Sequence, residues 1–146
     1  MSTVHKIVSS GEGVRINVLG DNQLVKLTGA ETGGSVAVIE QCNPPGTGIP
    51  LHVHTREDEI FHVLEGRMEF AVNGKAVEAG PGTTVFLPRN LPHAFKVVGD
   101  GPARVALTVI PAGVETMFFE LSQLPPGPPD MARVVEICGR HGISFL

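Results

Sequence analysis

Three histidines and one glutamate lie at spacings that could assemble a metal site. His52 and His54 are separated by one residue, which on a β-strand places both imidazoles on the same face. Glu59 follows after a short polar stretch, and His93 follows a Pro-rich turn further along the chain. Three neutral imidazoles and one carboxylate form a natural ligand set for a divalent transition metal and leave open positions for water or substrate. We therefore expect one such ion per chain, with Fe, Ni, Mn, Co and Zn all compatible with these ligand types.

Other residues of the same chemical types are expected to lie outside this site. Glu57 and Asp58 precede Glu59 directly and are predicted to form a solvated acidic turn. His62 lies three residues after Glu59, which on a strand places it on the opposite face. Cys42 and Cys138 occur in no metal-binding or redox spacing, so both are predicted to be small buried apolar residues.

The elements that must position these side chains are predominantly strands. The chain of 146 residues has 18 Gly and 12 Pro, a density of turn formers that disfavours a helical bundle. Asn73-Gly74 is a strong hairpin signal because both turn positions favour positive φ, and Gly20-Asp21-Asn22 marks another turn. The strand-like segments are 14–19, 24–28, 35–42, 60–64, 67–72, 75–79, 83–87, 94–98 and 104–110. This spacing predicts an all-β sandwich or barrel.

The C-terminal part of the chain has a helical pattern. Residues 115–121 are predicted to form a short helix, and the Pro-rich residues 124–129 an extended connector. Asp130 is a predicted N-cap for a helix over 131–141 that ends at Gly142. The spacing of Met131, Val134, Val135 and Cys138 indicates one apolar face for that helix. We expect a single domain over 1–146, with a barrel core at about 14–111 and a helical extension at about 114–146 that docks on it.

Charge and hydropathy exclude several classes of partner. The formal net charge is −4, and Lys and Arg form no run, so neither nucleic acid nor an anionic membrane is an expected partner. No apolar stretch approaches the ~20 residues of a membrane span, and residues 1–10 lack the apolar run of a signal peptide. The default expectation is a soluble cytoplasmic protein that acts on a small molecule.

The metal-site residues carry a resemblance to the cupin superfamily. Gly46, His52, His54, Glu59 and Gly66 match the first cupin motif, G-x5-H-x-H-x3,4-E-x6-G, at every fixed position. By composition, such a match is expected about once or twice in ten thousand chains of this length.

The second cupin motif, G-x5-P-x-G-x2-H-x3-N, is matched less completely by Gly82, Pro88, Asn90, His93 and Val97. Asn90 replaces the middle Gly, which is tolerable because Asn also adopts positive φ. Val97 replaces the final Asn, a structural position in the family. The resemblance implies a jelly-roll barrel (double-stranded β-helix), with His52, His54, Glu59 and His93 as metal ligands and pairing into a homodimer.

The segment 59–70 and the C-terminal helix are most similar to small single-domain relatives of quercetin 2,3-dioxygenase. This similarity implies a metal-dependent dioxygenase that acts on a small enolic or phenolic, oxygen-chelating substrate, with Glu59 as fourth ligand, general base or both. Two alternatives remain open, because cupins serve many functions. One is a non-redox isomerase or lyase that uses the same metal, and the other is a cupin that binds a small ligand without turnover.

Overall fold

The computed structural model describes residues 3–146, which form eleven strands and three helices. The strands are β1 (Val14–Val18), β2 (Asp21–Leu27), β3 (Ala37–Asn43), β4 (Gly48–His54), β5 (Asp58–Glu65), β6 (Arg67–Val72), β7 (Lys75–Ala79), β8 (Thr84–Leu87), β9 (His93–Val98), β10 (Ala103–Ile110) and β11 (Ile143–Phe145). The helices are α1 (Gly29–Thr32), α2 (Val114–Ser122) and α3 (Met131–Arg140). No helix in the range 3–146 is both long and apolar enough to cross a membrane.

The strands form two antiparallel sheets that face each other, as the all-β jelly-roll prediction requires. One sheet has the order β1-β2-β3-β10-β5-β8 and the other has the order β11-β4-β9-β6-β7. Consecutive strands β4 and β5 lie in different sheets, as do β5 and β6, so the chain crosses repeatedly between the sheets. The double-stranded β-helix fold is confirmed.

Strand alternation places one apolar row of each sheet in the space between them. In β10, Val105, Leu107 and Val109 are buried, whereas the intervening residues are partly exposed. Phe61 of β5 pairs with Leu107 and packs its ring 5.3 Å, centroid to centroid, from that of Phe70 in the facing sheet. Burial of such side chains is the main favourable contribution to folding and fixes the relative position of the sheets.

Two turn predictions have different outcomes. Asn73 and Gly74 have φ of 53° and 75° and join β6 to β7, as predicted. The turn between β1 and β2 lies one residue earlier than predicted. Leu19 and Gly20 occupy it with positive φ, and Asp21 is already paired with Val18. Asp21 is therefore a strand residue whose side chain has a fixed direction.

The cysteine prediction is half right. Cys138 is buried, but Cys42 is exposed. The register of β3 on β10 pairs Ile39 with Leu107, which places Gln41 on the inner face together with Ile39 and turns Cys42 outward. The register, which is set by pairing with β10, therefore outweighs the apolar character of the individual residue.

The C-terminal helices dock on the barrel, and α3 begins at the predicted N-cap. The Asp130 carboxylate accepts hydrogen bonds from the backbone N–H groups of Ala132 and Arg133. The predicted apolar face is wrong in part: Val134 and Cys138 are buried, but Met131 and Val135 are more than half exposed. Ile137 takes their place in the buried face, because Val134, Ile137 and Cys138 also share one side of a helix.

A short final strand, absent from the sequence-based prediction, follows α3. In β11, Ile143 pairs with His54 and Phe145 pairs with His52. The strand thus supports the outer edge of β4, which carries two of the predicted metal ligands.

Gly48 provides a test of the close contact between β4 and β9. A Cβ atom at Gly48 would lie 2.1 Å from the backbone oxygen of Phe95, and backbone cannot move aside as a flexible side chain can. We expect Gly48→Ala to lower the free energy of unfolding by about 1–3 kcal/mol, the usual effect of overpacking. The control is Gly101→Ala, where no atom lies within 4 Å of the new Cβ. Urea denaturation measures both. Equal midpoints for the two variants would contradict the proposed steric constraint.

Candidate metal centre

The structure brings His52, His54, Glu59 and His93 together in the interior of the barrel. His52 and His54 lie on β4, His93 is the first residue of β9, and Glu59 lies on β5 in the facing sheet. Each residue offers one ligand atom, and these atoms all lie within 4.8 Å of one another. All four residues are at most 5% exposed. Two sheets are therefore needed to complete the group, since neither sheet alone carries all four side chains.

Hydrogen bonds on the outer side of the rings orient the three imidazoles. His52 Nδ1 lies 2.8 Å from the carbonyl oxygen of Pro50, and His93 Nδ1 lies 3.0 Å from that of Leu91. A carbonyl oxygen only accepts, so each Nδ1 must carry the proton. In the neutral ring this leaves a lone pair on Nε2, the atom that faces the centre of the group.

Glu59 lies against the inward-facing nitrogens. Its Oε1 is 3.3 Å from His54 Nε2 and 3.2 Å from His93 Nε2. Neither Glu59 Oε1 nor His93 Nε2 makes a well-formed hydrogen bond with any group in residues 3–146. Buried polar atoms without a partner are rare and costly, and lone pairs that converge on one point suit a cation. The donor set of three neutral imidazole nitrogens and one carboxylate therefore fits a divalent transition metal.

The electrostatics of His52 and Glu59 favour the protonation states that a metal requires. Burial would lower the pKa of His54, but its hydrogen bond to Glu57 and the charge of Glu59 outweigh burial and raise that pKa. Burial lowers the pKa of His52 to about 4, so this imidazole is neutral at pH 7. Burial by itself would raise the pKa of Glu59, but a hydrogen bond from His93 and the positive charge of the His54 and His93 rings when protonated outweigh it and hold that pKa below its usual value. Glu59 is therefore ionised at neutral pH, as a metal-ligating carboxylate must be.

Glu57 is a functional residue that sequence reasoning missed. The predicted solvated turn is wrong for this residue, which is only 4% exposed. Its Oε1 accepts a hydrogen bond from His54 Nδ1 at 2.6 Å, which orients the third imidazole as the carbonyl groups orient the other two. The sequence signal for this contact was the spacing of His54 and Glu57, which lie three residues apart across a turn. A carboxylate at this place raises the basicity of a histidine ligand and fixes its tautomer.

Asp58 and His62 were both predicted to lie outside the site. The turn prediction is wrong for Asp58, which is the first residue of β5 and pairs with Arg89, its Oδ1 3.1 Å from Arg89 Nε. His62 is exposed, and its Nδ1 lies 2.9 Å from Thr84 Oγ1, on the outer face as predicted.

Asn90 has a φ of 67°, and its backbone N–H donates to the carbonyl oxygen of His54 at 2.7 Å. That bond fastens the loop before His93 to β4.

A cavity of about 450 Å³ opens from the group into the barrel. Its walls are mostly apolar, and they come from both sheets and from helices α2 and α3. Wall residues include Phe61, Met68, Phe95, Leu107, Phe118 and Val134. A cavity of this size holds a small organic molecule, and its walls offer apolar contact to most of the surface of such a molecule.

Comparison with known proteins agrees with the fold. The family model for the cupin domain matches residues 39–110, the segment that contains all four residues of the group. The chain belongs to the cupin superfamily. Quercetin 2,3-dioxygenase of Bacillus subtilis is 31% identical to this cupin over 115 residues, which are 77% of this chain and 33% of that enzyme. The chain thus spans about a third of that relative and about half of other curated relatives it matches.

Solved structures show the same fold. A predicted oxalate decarboxylase from Thermotoga maritima has a TM-score of 0.64 and 24% identity, with 72% of this chain and 98% of that chain covered. KdgF from a Halomonas species has a TM-score of 0.67 and 17% identity, with 76% and 99% covered. At these identities the likeness concerns the barrel architecture, not its chemistry.

The role of Glu57 can be tested through metal affinity. We expect Glu57→Ala to weaken binding of Zn²⁺ by about 10–100-fold, because the variant leaves His54 Nδ1–H without its acceptor and the ring without its orientation. Glu12→Ala, at an exposed position, is the control. Competition with a fluorescent zinc chelator measures both affinities. Equal affinities in the two variants would show that Glu57 does not support the site.

Proposed function

We propose that this cupin is a metal-dependent dioxygenase that acts on a small enolic or phenolic, oxygen-chelating substrate. The observation that carries the proposal is the position of the His52, His54, Glu59 and His93 group, which lies in a buried, mostly apolar cavity with unpartnered atoms converging on one point. Such a cavity admits a ring system and excludes bulk water. The group at its end offers open coordination positions to two adjacent oxygen atoms of a substrate.

The histidines would hold the metal through Nε2, since each Nδ1 is engaged elsewhere. When bound, a divalent transition metal supplies a Lewis acid for the oxygen atoms of the substrate and a redox-active centre for reaction with dioxygen. The hydrogen bonds to Pro50, Glu57 and Leu91 keep the three rings in place without any contribution from the substrate. The site is thus organised before the substrate arrives, which favours catalysis.

Glu59 is the proposed general base. Its carboxylate is ionised at neutral pH and its Oε1 has no well-formed hydrogen bond within residues 3–146, so it can accept the proton of an enolic or phenolic hydroxyl. Phe61 and Phe95 line the cavity beside the group and would pack against the substrate ring. The proton transfer would thus take place away from solvent, where its electrostatic consequences are strongest.

The similarity to the Bacillus subtilis quercetin 2,3-dioxygenase supports a dioxygenase reaction. It covers most of this chain, although it covers only a third of that enzyme. The substrate of this cupin is accordingly proposed from the cavity and the ligand set.

Oxygen consumption tests the proposed reaction. Protein reconstituted separately with Fe²⁺, Ni²⁺, Mn²⁺, Co²⁺ and Zn²⁺ is mixed with flavonols, catechols and β-diketones in an oxygen-electrode cell. We expect oxygen uptake that matches the loss of at least one substrate, with the Zn²⁺ form inactive because zinc has no redox chemistry. Substrate conversion without oxygen uptake would instead support an isomerase or lyase. Tight binding without any conversion would support a ligand-binding protein.

The variant Glu59→Gln separates a catalytic role from a structural one. Three histidines suffice to hold a catalytic metal, so we expect Glu59→Gln to retain most of its metal. Turnover should fall by about 10²–10⁴-fold, the usual contribution of a general base. His93→Ala should instead fail mainly by losing metal, because it leaves two histidines and a carboxylate around an enlarged gap.

Metal content and rate are measured on the same samples for both variants, with Glu78→Gln, an exposed substitution on β7, as the control. Normal metal content together with a wild-type rate in Glu59→Gln would rule out Glu59 as the base.

A further inference from the structure

Apolar side chains surround the opening of the cavity to solvent. Five residues line the cavity and are also partly exposed, so they lie where the cavity meets the solvent. We call this set the cavity rim, and its members are Leu19, Ile49, Met131, Val135 and Phe145. All except Ile49 have exposed fractions between 36% and 56%, which is high for large apolar residues. The proposed dioxygenase chemistry uses none of the five.

Two rim residues come from the first half of α3. Met131 and Val135 are four residues apart and therefore share one side of the helix. Both are more than half exposed, whereas the adjacent Val134 is buried. Packing within the described chain thus leaves most of their apolar surface without a contact. Because both also line the cavity, a ligand that extends out of the cavity would meet that surface.

Leu19 contributes to the rim from a backbone conformation that suits other residue types. Its φ is 52°, in the left-handed region that Gly, Asn and Asp adopt readily and bulky apolar residues adopt rarely. Burial does not explain the choice of leucine, since nearly half of the residue is exposed. Backbone strain of this kind clusters at ligand-binding positions, where the side chain has a role other than folding.

The rim begins beside the metal-ligating group and continues away from it. Its innermost member is Phe145, whose ring lies 6.2 Å, centroid to centroid, from that of His52. The C-terminal end of α3 is fastened through Gly142, whose carbonyl oxygen accepts a hydrogen bond at 2.9 Å from the N–H of Thr55, directly after β4. Met131 begins the helix, about 15 Å from that end. A ligand bound at the metal-ligating group must therefore extend beyond a single ring to reach Met131.

The wall between the metal-ligating group and the rim selects apolar groups. Phe95 and Leu107 line this wall. The polar side chains on it are Asp21, Gln41 and Asn43, and the Asp21 carboxylate accepts hydrogen bonds from the other two at 2.7 Å and 2.6 Å. A polar extension of a ligand would lose its hydration along such a wall, whereas an apolar extension would gain from burial.

We propose that the cavity rim is a binding subsite for an apolar extension of the substrate, whose chelating end lies at the metal-ligating group. This inference rests on the proposed function and adds a substrate class, namely an enolic or phenolic ring that carries a long apolar substituent. The occupant is the substrate and not another macromolecule because the rim is continuous with the cavity, and every rim residue also lines it.

A series of 4-alkylcatechols tests the rim through binding alone. The full-length, Zn²⁺-loaded protein is titrated with 4-methylcatechol, 4-butylcatechol and 4-octylcatechol in a calorimeter, and zinc, which has no redox chemistry, leaves the ligands unconverted. Each methylene that is buried tightens binding by about fourfold. We therefore expect 4-octylcatechol to bind about 100-fold or more tightly than 4-methylcatechol.

Two variants assign this gain to the rim. Leu19→Asn and Val135→Thr each remove apolar surface there, and each should reduce the ratio of octyl to methyl affinity by about three- to tenfold. Val77→Thr is the matched control for Val135→Thr, because Val77 is similarly exposed on β7 and does not line the cavity. The control should keep the wild-type ratio.

Leu19→Asn also separates a role in binding from a role in folding. Asn adopts positive φ more readily than leucine, so thermal denaturation should show a Tm equal to or above that of the wild type while the affinity ratio falls. A lower Tm together with a wild-type ratio would assign Leu19 to the fold alone.

A fall of the ratio in either rim variant supports the subsite. Equal affinities for the methyl and octyl compounds, or a wild-type ratio in both variants, would overturn it. If the variants keep that ratio but convert a dimer to a monomer in analytical ultracentrifugation, the rim contacts a second copy of the chain and the subsite is rejected.

The oxygen-uptake measurement is independent of this result. A rim-dependent gain in affinity without oxygen uptake would keep the subsite and reject the dioxygenase. Oxygen uptake without a rim-dependent gain would do the reverse.

Discussion

The outer nitrogen of each imidazole at the centre faces a fixed acceptor, namely the carbonyl oxygens of Pro50 and Leu91 and the carboxylate of Glu57. These three hydrogen bonds determine which nitrogen carries the proton and therefore where the lone pairs point. Two of the acceptors are backbone groups, so their positions depend on the path of the chain. The pairing of β4 with β9 is irregular between Ile49 and His52, and Pro50 lies in that irregular stretch. A departure from regular sheet geometry thus helps to orient a functional side chain.

The centre contains polar atoms that are buried without hydrogen-bond partners in residues 3–146. Glu59 Oε1 and His93 Nε2 are buried and lack well-formed hydrogen bonds within residues 3–146, and this arrangement lowers the stability of the metal-free protein. A bound cation would satisfy these atoms and would thereby stabilise the fold. The surrounding apolar core, with Phe61 and Val63 fully buried, supplies the stability that the centre lacks.

The helices at the C-terminal end of the described chain complete the cavity. α2 packs on β1 and α3 packs on β11, so both cover the edge where the two sheets separate. The same packing turns Met117, Phe118 and Val134 toward the cavity. β11 then pairs with β4 beside His52 and His54. The C-terminal segment therefore contributes to the position of β4, which carries His52 and His54, as well as to the walls around it.

The sequence by itself determined the architecture and the four residues of the centre. Strand alternation and turn chemistry are local properties, and the hairpin at Asn73-Gly74 forms as the positive-φ preference of these residues requires. The alternation of His52 and His54 placed both on one face for the same local reason.

Only the tertiary structure decided which polar residues are buried. Glu57 is inside because His54 Nδ1 lies within hydrogen-bonding distance, and Gln41 is inside because the register of β3 on β10 turns Cys42 outward. The exposed face of α3 depends likewise on docking, since its pattern allows more than one apolar side. Burial of a polar side chain requires a partner within reach, and the turn or strand register that brings the partner there is formed only in the folded chain.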